Sequence, residues 1–313
     1  MNMTAKVNIG IVGFGRIGRN LLRLGYNDPR FNFVGISDLA EPEALFYLLG
    51  HDTVYGPTET EAILEDNYIH FGHQKVRILP GAGPGSLAWD ALGADIIIDC
   101  TGRVWPRTDL EKYLETGAKR VIVTKPPEDP VDRIVVMGLN DNDISIDDKI
   151  VSPSSSTTQV LALMLDILDN EFGLEKAMMT SVHAYTSDQP LADSVRSDLR
   201  RSRSAVENII PNQTRSPQLV ETIMPHFKGK IAGIAFNVPI PDGSCVDLTT
   251  QLQSTPSVED VNALMKDVSE NSMSAIIGYT DDPIVSSDVV GDSHSMIFDA
   301  RATMIAAGKL LKT

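Results

Sequence analysis

A glycine-rich turn near the start of the chain constrains the fold more than any other feature of this sequence. The apolar run Val7–Val12 is typical of a buried strand, and residues 19–24 follow the turn with helical spacing. The turn itself reads Gly13-Phe14-Gly15-Arg16-Ile17-Gly18. In such a turn Gly13 permits the tight bend, Gly15 lets backbone approach a pyrophosphate, and Gly18 lets the helix pack on the strand. The pattern predicts a dinucleotide-binding turn made of these six residues.

An acidic residue at the end of the next strand sharpens this prediction. Phe31–Asp38 has the composition of a second strand and ends 20 residues after Gly18, which is the spacing of a ribose-binding carboxylate. The alternative role for Asp38 is a turn or loop cap. Because a carboxylate repels a 2′-phosphate, Asp38 favours NAD over NADP.

Later apolar runs continue the series of strands. Residues 94–99 lead into a turn of small residues that includes Thr101 and Gly102, and 120–124 and 134–140 continue the pattern. Turns at the carboxyl ends of strands line the ligand crevice of a doubly wound sheet. We therefore predict an α/β Rossmann domain with a doubly wound parallel sheet over residues 1–151, in which the acidic stretch 39–67 is irregular.

The alternation of strands and helices changes after Val160. Residues 160–168 and 258–268 have helical patterns, and three runs are typical of strands, namely 177–183, 230–236 and 245–252. Strands with helices on one face indicate an α+β domain. We assign this catalytic or substrate domain to residues 152–313.

Charge and composition exclude several classes of function. The formal net charge is −15, and a polyanion repels phosphate backbones, so we expect no nucleic-acid partner. The two cysteines, Cys100 and Cys245, form no disulfide framework, which indicates a reducing cytoplasm. We expect no signal peptide and no membrane partner, because no apolar run has the required length. The histidines, acids and cysteines show no metal-ligand spacing, so we expect no metal.

Several ordered motifs resemble the phosphorylating, NAD-dependent glyceraldehyde-3-phosphate dehydrogenases. The most specific matches are residues 13–19, 182–186, 198–203, 228–230, 286–288 and 291–295. The resemblance covers nearly the whole chain and implies that family's fold, a homotetramer, and oxidation of a small anionic aldehyde. It places Thr101 and Thr124 beside the nicotinamide half of NAD, and the predicted cofactor-binding set also includes Arg77 and Gly102.

The catalytic segment carries one exchange. The family reads Ser-Asn-Ala-Ser-Cys-Thr-Thr-Asn where residues 152–159 read Ser-Pro-Ser-Ser-Ser-Thr-Thr-Gln, so the catalytic cysteine falls on Ser156. His183 matches the family's acid/base histidine, which makes Ser156 and His183 the predicted catalytic pair. A hydroxyl is far more basic than a thiol, so we expect the acyl-enzyme chemistry to be impaired.

Three explanations of Ser156 fit the sequence. The serine is an engineered replacement of a cysteine, or it marks a nucleotide-binding homologue that acts through partners without turnover. In the third explanation the redox chemistry differs, and His183 deprotonates an aldehyde hydrate or an alcohol. A serine hydrolase built on Ser156 and His183 is a further alternative, although the sequence shows no acid for a triad.

The predicted substrate and anion site also departs from the family. Its hydroxyl residues are Ser155, Thr157, Thr186 and Thr214. The family's Thr-Gly pair is Thr214-Arg215 here, where Arg215 is either an anion ligand or a solvated loop charge. The arginine expected to hold a phosphate is replaced by Asn237, and asparagine cannot make its bidentate contact. We expect a changed or relocated substrate anion, with Arg201 as a further ligand or as an interface residue.

The family continues beyond the position of Thr313 through a Trp-Tyr-Asp-Asn-Glu segment and a helix. The sequence stops at Thr313, so we expect that helix to be absent. The resemblance implies that an asparagine in this helix orients the nicotinamide amide. We therefore expect a more open cofactor site.

Overall fold

The computed structural model describes residues 6–81 and 83–313, which form two compact units. The first unit runs to residue 135 and resumes over 143–154. The second unit holds 136–142 and 155–313. Within the described ranges, no helix is both long enough and apolar enough to cross a membrane.

The first unit is built on a nine-stranded sheet. Its strands are β1 (Val7–Val12), β2 (Phe31–Asp38), β3 (Ala62–Glu65), β4 (Tyr68–Phe71), β5 (Gln74–Pro80), β6 (Ile96–Asp99), β7 (Arg120–Val123), β8 (Arg133–Ile134) and β9 (Ile150–Ser152). Its helices are α1 (Arg16–Gly25), α2 (Pro42–Gly50) and α3 (Arg107–Glu115).

The strand order of this sheet is β3-β4-β5-β2-β1-β6-β7-β9-β8. The six strands from β5 to β9 in this order are all parallel, and the chain order reverses between β1 and β6. This is the arrangement of a dinucleotide-binding fold, whose ligand crevice lies at the reversal. The predicted Rossmann sheet is confirmed.

Helices cover both faces of the sheet. Ile11 of β1 packs in one buried cluster with Leu22 of α1 and Leu49 of α2. The next residue, Val12, points to the opposite face and packs in a second cluster with Tyr113 of α3. Burial on both faces explains why β1 is a continuous apolar run.

The second unit contains a six-stranded and a two-stranded sheet. Its strands are β10 (Leu174–Ala184), β11 (Ile210–Asn212), β12 (Ile231–Val238), β13 (Cys245–Leu252), β14 (Ile277–Thr280), β15 (Met296–Asp299), β16 (Met304–Ala306) and β17 (Leu310–Lys312). Its helices are α4 (Ser156–Phe172), α5 (Ser216–Ile223) and α6 (Val258–Glu270). The larger sheet has the order β11-β12-β10-β13-β17-β16 and is mixed, since β10 and β12 are parallel and the other pairs are antiparallel.

Helix α4 is the centre of the second unit's core. Leu161, Leu165 and Leu168 are fully buried on it and share a cluster with Leu248 of β13 and Met265 of α6. A helix that is apolar around most of its circumference is stable only when it is covered on several sides. The burial of α4 fixes the position of its first turn, where the predicted nucleophile lies.

Two segments differ from the sequence predictions. The expected strand over 134–140 shortens to β8, because the Asn140 side chain accepts the Val136 N–H at 2.7 Å and Gly138 turns the chain at φ +84°. The stretch 39–67, expected to be irregular, contains α2, which begins at a proline that needs no N–H partner in the first turn.

Candidate active site

Gly13 occupies a position that only glycine can fill. It follows β1 with φ +85°, and its N–H donates to the Ser37 carbonyl oxygen at 2.7 Å. A Cβ at Gly13 would lie 2.7 Å from the backbone of Thr101, which follows β6. The two turns therefore touch where the strand order reverses, which is the expected place for a dinucleotide.

The rest of the glycine turn leaves backbone open at the start of α1. Gly15 caps the helix, and an added Cβ there meets nothing within 4 Å, whereas a Cβ on Gly18 would lie 2.4 Å from the Gly13 carbonyl oxygen. Phe14 is buried in the core, while Arg16 and Ile17 are exposed. Open amides at a helix N-terminus suit a pyrophosphate, so this turn fits NAD.

Asp38 caps the backbone N–H groups that follow it and also lies beside the glycine turn. Its Oδ2 accepts the Phe14 N–H at 2.6 Å, and its Oδ1 accepts the N–H groups of Leu39 and Ala40 at 2.7 and 3.0 Å. The carboxylate is partly exposed. Since a carboxylate offers about four lone-pair sites, it can still accept ribose hydroxyls. The two roles weighed for Asp38 are therefore compatible.

We expect Asp38→Ala to weaken NAD binding by about 10-fold or more, because a hydrogen bond to a charged group contributes about 1.5–3 kcal/mol. Asp38→Asn is the matched control, since it keeps an acceptor for the Phe14 N–H. Calorimetric titration with NAD measures both. Equal NAD affinity in the wild-type protein and Asp38→Ala would remove this side chain from the ribose site.

The predicted nicotinamide-side residues surround buried Asp99. Its carboxylate accepts the hydroxyl protons of Thr101 and Tyr113 at 2.7 and 2.9 Å, and its carbonyl oxygen accepts from Thr124 Oγ1 at 2.8 Å. Gly102, at φ +68°, is exposed and open on its Cβ side. Asp99 and Tyr113, which sequence reasoning did not select, therefore hold the two threonines together.

Arg77 lies apart from these residues within the first unit. It is exposed on β5, where it pairs in register with Gly35. Pro80 ends this strand three residues later and pairs with Asp38. At about 3.3 Å per residue this is about 10 Å from the strand end. The structure does not bring Arg77 to the glycine turn.

The first turn of α4 presents the predicted nucleophile. Ser155 caps the helix by accepting the Thr158 N–H on its Oγ at 3.1 Å, and Ser156 is the first helical residue and is exposed. In the part of the chain that the structure describes, the N–H groups of Ser156 and Thr157 have no acceptor. The turn thus offers a hydroxyl and two free N–H donors at the positive end of a helix dipole.

A chain of hydroxyls runs from this turn to the start of α5. Thr158 Oγ1 lies 2.9 Å from Ser155 Oγ and 3.1 Å from Ser216 Oγ, and Thr214 Oγ1 lies 3.2 Å from Ser216 Oγ. Ser216 and Thr158 are buried, and the predicted residues Ser155 and Thr214 form the two accessible ends. In the sequence, only its place before a helix-starting proline distinguishes Ser216.

His183 lies near the carboxyl end of β10 and is partly exposed. Its Nδ1 donates to the Ala184 carbonyl oxygen at 2.7 Å, because a carbonyl can only accept. Nε2 of the neutral ring is then a free acceptor, and the described residues provide it with no partner. Ser181, on the same face of β10, lies 3.4 Å from Thr157 of α4 through the two hydroxyl oxygens. The histidine and the first turn of α4 therefore belong to the same side of the sheet.

The ring of His183 is oriented by the backbone and not by any described carboxylate. Its Nδ1 is bound by a backbone carbonyl, and no described Asp or Glu side chain hydrogen-bonds to the ring. A serine hydrolase triad needs such an acid. This geometry disfavours the hydrolase alternative.

The predicted anion ligands fall into different environments. Asn237, 8% exposed, pairs in register with His183 and accepts from Asn212 Nδ2 at 3.2 Å. Thr186 donates its hydroxyl proton to Asp188, whose other carboxylate oxygen is ion-paired with Arg201. Of the predicted ligands Asn237, Thr186 and Arg201, only Arg201 is a cation, and its charge is paired with Asp188.

Arg215 is the cation that stays available at the candidate site. It is exposed, precedes α5 as its N-cap, and has no ion-pair partner within the described residues. It also follows Thr214, at one end of the hydroxyl chain. A cation beside hydroxyl donors can bind a small anion.

Neither cysteine is placed to replace the nucleophile. Cys100 is buried in the first unit, where burial and the Asp99 carboxylate raise the pKa of its thiol to about 12. Cys245 pairs with Val182 on β10, so it points to the face opposite His183, and burial raises the pKa of its thiol as well. Among the residues described, no cluster of His, Cys, Asp or Glu is arranged to hold a metal ion.

Comparison with known proteins agrees with this geometry in both halves of the chain. Residues 7–107 match the family model "Glyceraldehyde 3-phosphate dehydrogenase, NAD binding domain", and residues 155–313 match "Glyceraldehyde 3-phosphate dehydrogenase, C-terminal domain". The chain is 42% identical over 302 residues to glyceraldehyde-3-phosphate dehydrogenase 1 of Trichormus variabilis, covering 95% of this chain and 88% of that one. It is 41% identical over 312 residues to the glyceraldehyde-3-phosphate dehydrogenase of Mycobacterium leprae, covering 97% and 91%.

Proposed function

The chain belongs to the glyceraldehyde-3-phosphate dehydrogenase family, an NAD-dependent oxidoreductase family, and we propose that it oxidises a small anionic aldehyde without an acyl intermediate on Ser156. The observation that carries this proposal is the free Nε2 of His183 on the side of the sheet where α4 begins. The chain therefore keeps His183 as a base, although Ser156 stands at the position of the family's cysteine.

The proposed reaction starts from the hydrated aldehyde. Oxidation removes one hydroxyl proton and the carbon-bound hydride and leaves a carboxylic acid, and NAD, when bound, takes the hydride. His183 Nε2 accepts the hydroxyl proton, because its Nδ1 proton is held by the Ala184 carbonyl oxygen. The free N–H groups of Ser156 and Thr157 stabilise the developing oxyanion, and the Ser156 hydroxyl orients the hydrate.

Ser156 is a poor nucleophile in this setting. A thiol with a pKa of about 8.5 is partly ionised at neutral pH, whereas a serine hydroxyl needs a base oriented by an acid. No described Asp or Glu hydrogen-bonds to His183. The proposed reaction therefore needs no inorganic phosphate, because no acyl-enzyme has to be cleaved.

We place the substrate's anionic group at Arg215 and the accessible hydroxyls of Ser155 and Thr214. Arg215 supplies the charge, and the hydrogen-bonded chain through Thr158 and Ser216 fixes the orientation of the hydroxyls. Assembly as a homotetramer and a cytoplasmic location are also proposed, and family membership alone supports them.

A panel of aldehydes tests this function. We expect NADH formation with carboxylated or phosphorylated aldehydes, independent of added phosphate, and a rise of about 10-fold in KM for them in Arg215→Ala, since a charge-assisted hydrogen bond contributes about 1.5–3 kcal/mol. Arg215→Lys is the control that keeps the charge. An unchanged KM in Arg215→Ala would move the anion site elsewhere, and a wild-type protein that binds NAD but oxidises no aldehyde would contradict the proposed function.

A further inference from the structure

An amide pair lies beside the candidate base. Asn237 of β12 and His183 of β10 are partners in a parallel ladder, so their side chains share one face and their Cα atoms are about 4.8 Å apart. Asn212 of β11 lies on the same face, opposite Ala235, and donates its Nδ2 proton to Asn237 Oδ1 at 3.2 Å. Asn212 and Asn237 therefore form one polar unit on the face of the sheet that carries His183.

The hydrogen bond between the two amides determines what the pair can bind. Asn237 uses its oxygen to accept from Asn212, which leaves both N–H groups of its amide without an acceptor among the described residues. Asn237 is 8% exposed, but its Nδ2 is not one of the fully enclosed side-chain atoms that lack a partner, so a ligand can reach it. A ligand oxygen that accepts from these N–H groups gains about 0.5–1.5 kcal/mol net for each hydrogen bond.

The pair itself is uncharged, and within the described residues neither amide hydrogen-bonds to a charged side chain. Arg201 is neutralised by Asp188, and the Thr186 hydroxyl donates to the same carboxylate. An amide carries no net charge, so a phosphate dianion beside Asn237 would lose its hydration without gaining a cation. A hydroxyl or carbonyl oxygen loses far less hydration and can accept from the same N–H groups.

We propose that Asn212 and Asn237 form a specificity-determining amide pair that binds an uncharged hydroxyl or carbonyl oxygen of the substrate. This inference rests on the proposed function, because it places a second polar group on the same anionic aldehyde. The anion then binds at Arg215, the uncharged oxygen binds at Asn237, and the carbon to be oxidised lies beside His183. The substrate class is an aldehyde with one anionic group and one hydroxyl or carbonyl substituent.

Binding of product-like acids tests the pair without any turnover. Malate and succinate are both dicarboxylates and differ by one hydroxyl group. We expect the wild-type protein to bind racemic malate about 3- to 10-fold more tightly than succinate, the range of one net hydrogen bond. Asn237→Leu, which is similar in size, should reduce this ratio to about one. Asn212→Ser should reduce it as well, because the Asn237 amide then loses the partner that orients it.

Asn237→Arg is the complementary variant. We expect it to bind 3-phosphoglycerate about 10-fold or more tightly than the wild-type protein does, because arginine can pair with phosphate bidentately. Thermal unfolding followed by circular dichroism checks that each variant is folded. If Asn237→Leu does not fold, Asn212→Ser still allows the comparison of malate with succinate.

Either of two results overturns the inference. One is equal affinity of the wild-type protein for malate and succinate, including no detectable binding of either. The other is a malate preference that survives in both Asn237→Leu and Asn212→Ser. Because these titrations need no oxidation, a protein that shows the preference but no aldehyde turnover would refute the proposed function while keeping the amide pair.

Discussion

Replacing Ser156 by cysteine is expected to restore acyl-enzyme chemistry. Mixed with NAD and an aldehyde in the absence of phosphate, Ser156→Cys should release a burst of NADH close to one equivalent per site, on the order of 100-fold faster than any burst of the wild-type protein. The thiol lies at the first position of α4, where the helix dipole and His183 favour its ionised form. The Ser156 hydroxyl gains too little from the same field to become a nucleophile.

The acyl-enzyme that accompanies the NADH burst can be detected by mass spectrometry. The intact mass of Ser156→Cys should increase by one acyl group, and added phosphate should remove it as an acyl phosphate. Ser156→Ala is the matched control, because it removes the hydroxyl without adding a thiol and should retain the slow, phosphate-independent oxidation. An acyl adduct on Ser156 of the wild-type protein would show that serine itself is the nucleophile and would contradict the proposed reaction.

Removing the base is the second large effect. We expect His183→Ala to lower kcat by about 10²- to 10⁴-fold, the usual contribution of a positioned general base. NAD affinity should change little, since this variant leaves the glycine turn and its contact with Asp38 intact. Added imidazole should restore part of the lost rate, because it supplies a free base in the space left by the side chain.

His226→Ala is the control for this experiment. His226 is an exposed histidine of the same unit that pairs with Asp169, away from the α4 first turn. Its loss should leave kcat unchanged. A His183→Ala protein that oxidises aldehydes at the wild-type rate would show that water or another group takes the proton.

The sequence predicted the features that depend on short-range spacing. The glycine turn and Asp38 are separated by one strand and one helix, so their contact through the Phe14 N–H follows from the local fold. A helix over residues 160–168 was predicted from its apolar run, and α4 extends this helix to Ser156–Phe172.

Contacts between distant segments could not be predicted from spacing. Thr158 and Ser216 lie 58 positions apart, and their hydrogen bond depends on how α4 and α5 pack. The bond between Asn212 and Asn237 likewise depends on the register of β11 against β12. A lone asparagine or serine carries no signal of such a partner, because most are satisfied by backbone or water.

The charged residues after β10 show that sequence spacing also fails to predict which cations are ion-paired. Arg201 was predicted as an anion ligand or an interface residue, and its guanidinium is paired with Asp188. Arg215 was predicted as an anion ligand or a solvated loop charge, and no described residue forms an ion pair with it beside the hydroxyl chain. Only the three-dimensional arrangement separates a neutralised cation from an available one.

Transfer of deuterium from substrate to cofactor shows whether the protein passes a hydride from the aldehyde to NAD. The wild-type protein is mixed with NAD and an anionic aldehyde that carries deuterium on the aldehyde carbon, without phosphate, and the NADH is analysed by mass spectrometry. We expect one deuterium per NADH formed and a carboxylic acid as product, with no protein adduct. Unlabelled cofactor after long incubation, with NAD binding intact, would contradict the proposed function and leave a protein that binds the nucleotide without using it.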